Sequence, residues 1–495
     1  MAHWMIAPIL LPVVLAALMV APARHRPGLQ RALSLAGAAG QLALALALVW
    51  AASQNGPALY RLGDWPAPFG IMLVLDRLSA LMLVLSAGLS LIVLWQAIAT
   101  GWDRRGQHFH ALLHLQVMGL NGAFLTADAF NLFVFFEVLL IASYGLMIHG
   151  AGAARLKAGL HYMAVNLIGS AVFLLALSLL YALTGTLNMA DLAQRLAALP
   201  AGDVALARVG AVLLLSVFAL KGALVPLQFW LPGTYANAPG PVAALFAILT
   251  KVGAYATIRM ATLIFPPGSA VTGALIGDLL FWGALVTILI GSAGVLGSRA
   301  LPRLAAFCTL ASMGTLFLAV AQLTEAGLTA AMFYMVHSTL AGAMLFLLAD
   351  ALGRSPHPRR AGGLAGLYLV AAMALVGLPP LSGFAGKLLV LQLWPEQAAL
   401  VWAVMLAGTF LMLLGFARAG SDLFWKSATP GETTPAATPG TAPIVALATL
   451  LLALSLLGAP VMGWMGVTAG TLTHPQAYIA LQSLAPPEPF QGGQP

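Results

Sequence analysis

The sequence predicts an all-α polytopic membrane protein of about fourteen transmembrane helices, and three observations predict it. Of its 495 residues 61% are hydrophobic, only 7% are charged, and the mean hydropathy is +0.96. Soluble domains carry roughly 25% charged residues, so the length does not count out globular domains. The apolar residues also fall into runs near the twenty or so that a bilayer core of about 30 Å requires. The net charge of +8 and pI near 9.9 come without a basic run or a soluble module to carry one, so they read as basic loops on membrane helices and not as a nucleic-acid surface. One cysteine, Cys308, excludes an intrachain disulfide and a cysteine metal cluster. No nucleotide loop, metal-ligand spacing or nucleophile–base pair is present, so no enzyme activity, metal or cofactor is expected.

The first predicted span covers 5–21. Residues 6–23 end in APA, which imitates a signal-peptidase site, yet no Lys or Arg precedes the apolar run and Arg24, Arg26 and Arg31 follow it. That polarity is opposite to a signal peptide's, so this is read as a retained helix. With spans 32–51 and 71–98 it forms an N-terminal unit, 1–109. Spans 110–126, 129–149, 158–183, 205–231 and 241–263 make a unit at 110–263; spans 271–296, 303–322, 327–349, 364–394 and 397–417 make another at 271–418. Residues 188–199 read as a short amphipathic surface helix. A Thr/Pro/Gly-rich flexible linker at 419–442, a last span at 443–466 and a disordered, Pro-rich tail at 467–495 complete the chain.

Two spans are interrupted. Gly222 and Pro226 fall within the seventh, and Pro379, Pro380, Gly383 and Gly386 within the twelfth. Proline removes a backbone donor and kinks a helix. Broken spans at matching places in two halves point to an inverted-repeat transporter, with spans 4–8 and 9–13 as the repeats. Freed carbonyls are tolerated at that depth only where protein or water satisfies them. Either segment alone is equally well an ordinary proline kink; a lysine on both favours the repeat.

The basic residues test this count. Loops after odd-numbered spans hold fourteen: Arg24, Arg26, Arg31, Arg104, Arg105, Arg155, Lys157, Arg299, Arg303, Arg354, Arg359, Arg360, Arg418 and Lys426. The opposite face holds five, Arg61, Arg77, Arg195, Arg208 and Arg259. Cytoplasmic loops collect Lys and Arg, so both termini are expected outside the cytoplasm. Three of the twenty-two basic residues remain, Lys221, Lys251 and Lys387, all inside predicted spans.

Glu137 joins them, in NLFVFFEVLL. A charge at the bilayer centre costs about 2.5–3.5 kcal/mol on the lenient scale, so four ionised, unpaired, lipid-facing groups would cost roughly 10–14 kcal/mol. Glu137, Lys221 and Lys251 lie too far from their helix ends to snorkel, and are expected to face each other or internal water. A static ion pair accounts for one lysine at most. The surplus favours a proton relay, because desolvation shifts lysine and glutamate toward neutral-pH titration. His337, mid-span, is a core histidine taken alone and a relay member taken with Lys251 and Lys387. Asp128 and Asp76, at outer span edges, are interfacial anchors or accessory proton groups; Asp278 and His161 are unassigned.

The stretches LDRLSALMLVLS (75–86), TADAFNLFVFFEVLLIASYGL (126–146), LKGALVPLQFWLPGTYANAPGPVAALFAILTKVGAYATIR (220–259) and GLPPLSGFAGKLL (377–389) resemble the antiporter-like subunit family. That family is shared by respiratory complex I, membrane-bound hydrogenases and Mrp-type multisubunit cation/proton antiporters, and FNLFVFFEVLLIASYG and PPLSGFAGK look most like the D-type branch of the Mrp antiporters. The resemblance implies a fourteen-helix fold with broken helices 7 and 12. It also implies a mid-membrane relay of Glu137, Lys221, Lys251, His337 and Lys387. Where many relatives place a lysine about five residues after the histidine, this chain has Gly342. The function implied is a proton-translocating subunit of a multisubunit monovalent cation/proton antiporter in a bacterial cytoplasmic membrane, with sodium as a candidate passenger. Its implied partners are small hydrophobic subunits and a larger homologous antiporter-like subunit. A redox-driven pump subunit and a non-conducting assembly scaffold are the alternatives.

Overall fold

The computed structural model describes residues 2–354, 362–425 and 440–483, which form twenty α-helices and one two-stranded hairpin. The first part runs α1 (Ala7–Val20), α2 (Pro27–Asn55), β1 (Ala58–Arg61), β2 (Met72–Leu75), α3 (Arg77–Ala99), α4 (Phe109–Leu125), α5 (Ala129–Met147) and α6 (Ala153–Thr184). It continues with α7 (Met189–Ala197), α8 (Val204–Lys221), α9 (Trp230–Asn237), α10 (Gly240–Phe246) and α11 (Leu249–Leu263). The second part has α12 (Leu275–Gly297), α13 (Leu301–Val320), α14 (Glu325–Arg354), α15 (Gly362–Val376), α16 (Ser382–Gln392) and α17 (Ala398–Gly420). It ends with α18 (Thr441–Leu456), α19 (Gly458–Thr473) and α20 (Gln476–Ser483).

A helix or helix pair stands at each of the fourteen predicted spans. Ten helical stretches among the described residues are long and apolar enough to cross a membrane by themselves. The other four are α1 and α4, short at 14 and 17 residues, α15–α16, which is broken, and α18–α19, bent by 77°. The eighth span, predicted continuous, is one helical stretch, Gly240–Leu263, marked by a two-residue turn at Ala247 and Ile248 that keeps right-handed helical backbone angles.

Two polar faces bound the bundle. On one, Arg105, Arg354 and Arg155 surround the Trp102 ring at 4.1, 5.0 and 5.3 Å, and its indole N–H donates to Asp350 at 3.0 Å. Arg31 grips Asp103 through two bonds of 2.6 and 2.8 Å, with His110 at 3.4 Å. Burial works against the Asp103 carboxylate, but His110 and Arg31 overcome it and hold its pKa at about 2. This is the basic face.

The opposite face carries the hairpin, β1 antiparallel to β2 with Ala58 opposite Leu75. Asp76 leads from it into α3 by a capping box: its carboxylate accepts from the Ser79 N–H at 2.8 Å while its own N–H donates to Ser79 Oγ at 2.9 Å. Both described chain ends pack here, the turn at Ala2–Met5 on the hairpin and α20 on β1 and α7. Ends on one face require an even number of crossings, as fourteen spans do.

Three expectations need correction. Residues 72–75, which the hydropathy places in the third span, form β2. The tail from 467 is helical as far as Ser483, because Tyr478 packs its ring 5.2 Å from the Arg259 guanidinium and gives the segment a buried anchor; residues 484–495 lie outside the described residues. Of the linker at 419–442, residues 419–420 end α17 and Ser421–Trp425 add a single π-helical turn, and 426–439 lie outside the described residues.

Candidate functional site

The α8 helix ends at Lys221, and residues 222–229 run without helix. The backbone groups this break releases are taken up by protein: the Trp230 indole donates to the Leu220 carbonyl at 2.9 Å, and the Val225 N–H donates to Thr287 Oγ1 at 2.9 Å. Lys221 is 5% exposed and donates from Nζ to Asn166 Oδ1 at 2.9 Å. It occupies the C-terminal end of α8, where unpaired carbonyls carry partial negative charge. Glu137 accepts a short hydrogen bond from Ser170 Oγ. Asn166 and Ser170 stand one turn apart on α6, so the glutamate and the lysine connect through that helix. Among the described residues no direct ion pair joins them.

Lys251 lies just after the α10–α11 turn, fully buried. Its Nζ has no hydrogen-bond partner among the described residues, nor has the neighbouring Thr250 Oγ1. The helix bearing Lys251 crosses the α8 break in backbone contact. A Cβ on Gly253 would stand 2.6 Å from the Gly222 amide nitrogen and 2.7 Å from the Phe218 carbonyl oxygen. Any larger residue there pushes the Lys221 and Lys251 helices apart.

In the second half α15 ends at Val376, and α16 begins at Ser382. Lys387 folds back from α16 so that Nζ donates to the freed Val376 carbonyl at 2.8 Å and to Thr409 Oγ1 at 3.1 Å. Its ammonium, like that of Lys221, meets the C-terminal end of a half-helix. His337, buried in the middle of α14, sits 2.9 Å through Nδ1 from Ser382 Oγ. A Cβ on Gly383 would collide with the Ala374 carbonyl oxygen and fall 2.8 Å from His337 Nε2, so the absence of a side chain lets histidine and broken helix touch. Gly342 faces Ala247 at the α10–α11 junction, with the nearest atoms 3.9 Å from where a Cβ would stand.

Lys221, Lys251 and His337 are buried, whereas Glu137 and Lys387 are only half-buried. Pro226, Pro379 and Pro380 fall within the two breaks.

The two candidate accessory carboxylates are helix caps. Asp128 accepts from the Asn131 N–H at 2.7 Å at the start of α5. Substituting Asp128→Asn keeps that cap and should leave ion exchange and thermal stability unchanged, while Asp128→Ala should cost about 1 kcal/mol; thermal unfolding beside vesicle exchange assays checks both. Asp76 binds Arg259 through two bonds of 2.6 and 2.9 Å. Arg259, counted from the sequence among the basic residues of the opposite face, lies within α11, buried.

Sequence reasoning also passes over Asn166, Ser170, Ser382 and Thr409. The i, i+4 spacing of Asn166 and Ser170 inside an apolar helix is a signal that could have found that pair. Among the described residues no group of three His, Cys, Asp or Glu side chains is placed to hold a metal.

The helical bundle, with ten apolar spans among the described residues, is that of a polytopic membrane protein. A family model described as NADH:quinone oxidoreductase/Mrp antiporter, transmembrane, matches residues 126–415, and the chain belongs to that family. It is 41% identical to the D-type subunit of a probable K(+)/H(+) antiporter of Rhizobium meliloti, covering 96% of each chain. It is 35% identical to the D-type subunit of the Na(+)/H(+) antiporter of Alkalihalophilus pseudofirmus, covering 97% of this chain and 99% of that one. A chain in the structure of the Mrp complex from Dietzia sp. DQ12-45-1b superposes with a TM-score of 0.86 at 29% identity, over 97% of this chain and 100% of that one. These relatives are antiporter subunits and not enzymes, and the chain is an antiporter-type membrane subunit.

Proposed function

We propose that the chain translocates protons within a multisubunit monovalent cation/proton antiporter, along Glu137, Lys221, Lys251, His337 and Lys387. The observation that carries this reading is the Lys251 ammonium, fully buried without a partner among the described residues. A static structural role gives such a group nothing to offset its desolvation, whereas a proton carrier has to be able to lose its charge. Orphaned Thr250 Oγ1 beside it marks a place for water, and water joins the groups that do not touch. Protonation at one lysine raises the cost of charge at the next, so that protons advance in sequence. With Gly342 offering no titratable side chain, the step from Lys251 to His337 has to rest on the histidine and on water.

Glu137 and Lys387 are half-buried, and lipid on the flanks of α5 and α16 would be an expensive neighbour for them. We assign those flanks to partner subunits, small hydrophobic ones and a larger homologous antiporter-like one. The basic face lies in the cytoplasm of a bacterial inner membrane, with both termini outside. Helices α4–α11 and α12–α17 are the inverted repeats, one starting from each face. The whole-length identity with D-type subunits named for K(+)/H(+) and Na(+)/H(+) exchange favours exchange over a redox-driven pump, and makes sodium and potassium the cations to test.

The test is Glu137→Gln in the complete complex. Glutamine can still accept from Ser170 Oγ but cannot titrate. Exchange driven by Na+ or K+ in everted vesicles is expected to fall about tenfold or more at unchanged assembly. Full exchange in an assembled Glu137→Gln complex overturns the relay.

A further inference from the structure

Lys221 rests on a weaker partner than the one at hand. A buried ammonium gains more from a carboxylate than from a neutral acceptor. Yet Nζ donates to the Asn166 amide oxygen at 2.9 Å, and among the described residues that is its one hydrogen bond. Glu137 is held one turn further along the same helix, on Ser170. An ammonium has three donors, so two of them have no acceptor among the described residues. We infer that Asn166 is a positioning residue: it keeps Lys221 apart from Glu137, on a neutral acceptor, and so sets the pH at which that lysine gives up its proton. The role belongs to the proposed relay and rests on it.

Three features of α6 support this. The amide is oriented: Asn166 Nδ2 donates to the Tyr162 carbonyl at 2.8 Å, one turn back, so the oxygen is the end turned to Lys221. The approach is close because residue 169 is glycine. A Cβ there would stand 2.6 Å from Leu220 Cδ2 and 3.8 Å from Lys221 Nζ. Ser170, finally, has an acceptor on either side, the Glu137 carboxylate and the Asn166 carbonyl at 3.0 Å. With Glu137 ionised, the serine hydrogen goes to the carboxylate. With Glu137 protonated, the acid donates to Ser170 Oγ and the serine hydrogen turns to the carbonyl. Both states of Glu137 are thus satisfied on α6 without the lysine. The other titratable groups near this end of α8 are Tyr162 on α6, Tyr235 on α9, whose hydroxyl donates to the Phe246 carbonyl, and Lys251 on α11. Glu137 is therefore the one carboxylate for Lys221 to turn to among the described residues.

Two substitutions in the complete complex test the role. Asn166→Asp keeps the shape and gives Lys221 a carboxylate; Asn166→Leu removes the acceptor and releases the ammonium to Glu137. Either way the lysine gains a carboxylate partner, which favours its charged form. Exchange in everted vesicles is then expected to need a higher pH, its profile displaced upward by about one unit or more. A residue that only packs α6 against α8 would lower exchange at every pH and leave the profile in place. A map of the assembled Asn166→Leu complex is expected to show Nζ within about 4 Å of a Glu137 oxygen, and it decides the matter where exchange is too slow to profile. Profiles unmoved in both variants, or Lys221 still apart from Glu137 in Asn166→Leu, overturn the inference. Glu137→Gln measured alongside keeps the two readings distinct: full exchange there overturns the relay, whereas lost exchange there with unmoved Asn166 profiles overturns the role of Asn166 alone.

Discussion

Lys251→Met is expected to leave the complex assembled and at least as heat-stable as the parent, yet to lower proton exchange by something on the order of 10²–10⁴-fold. The reasoning starts from burial. Lys251 is wholly enclosed and its Nζ has no partner among the described residues, so the folded protein gains no ion pair from it and bears the cost of desolvating a cation. Methionine matches the stem in length and adapts to irregular space, so the substitution removes that cost and keeps the packing. Exchange falls for the opposite reason, because no other titratable group among the described residues touches Nζ to take the proton in its place. Thermal unfolding of the purified complex, measured beside dye-reported proton movement in everted vesicles, separates the two effects. Loss of assembly preceding loss of exchange would make Lys251 a structural residue and remove the observation on which the relay rests.

What could be read from the chain, and what could not, follows from the range of the forces involved. Membrane helices were legible because lipid imposes its requirement residue by residue, and the breaks at Gly222–Pro226 and Pro379–Pro380 were legible because proline acts locally. The turn at Ala247 and Ile248 has no proline inside it and gave no such signal. Strand β2, MLVL, is buried at all four positions, so it shows no alternation, and periodicity cannot tell such a run from a helix. The three lysines emerged by counting charge. The partners of Lys221, His337 and Lys387 did not, because Asn166, Ser382 and Thr409 are ordinary polar residues whose meaning comes from contacts across 55, 45 and 22 residues of chain. The lysine at 251 is the converse case: its lack of a partner is a statement about three dimensions that no local pattern contains.

Asp76→Asn is expected to destabilise the protein by about 3–5 kcal/mol, the usual cost of removing one member of a buried ion pair. Asparagine caps helices as well as aspartate does, so the capping box at the start of α3 is preserved and the loss isolates the charge. What remains is a buried Arg259, whose Nε already lacks a partner among the described residues, facing a neutral amide between Tyr255 and Tyr478. Adding Arg259→Met removes the stranded cation, and the double variant should recover most of the lost stability, as buried pairs replaced by apolar groups commonly do. Exchange activity then separates the two accounts of Asp76. The geometry makes it a tie: both its oxygens are engaged by Arg259 and one also takes the Ser79 N–H, leaving it poorly placed to pass a proton. On that account the double variant regains exchange together with stability. A double variant that folds well and assembles but does not exchange would return Asp76 to the proton path, the alternative to the anchoring role that its place at the outer edge of the third span suggests, and would make the Asp76–Arg259 pair part of the route by which protons leave α11.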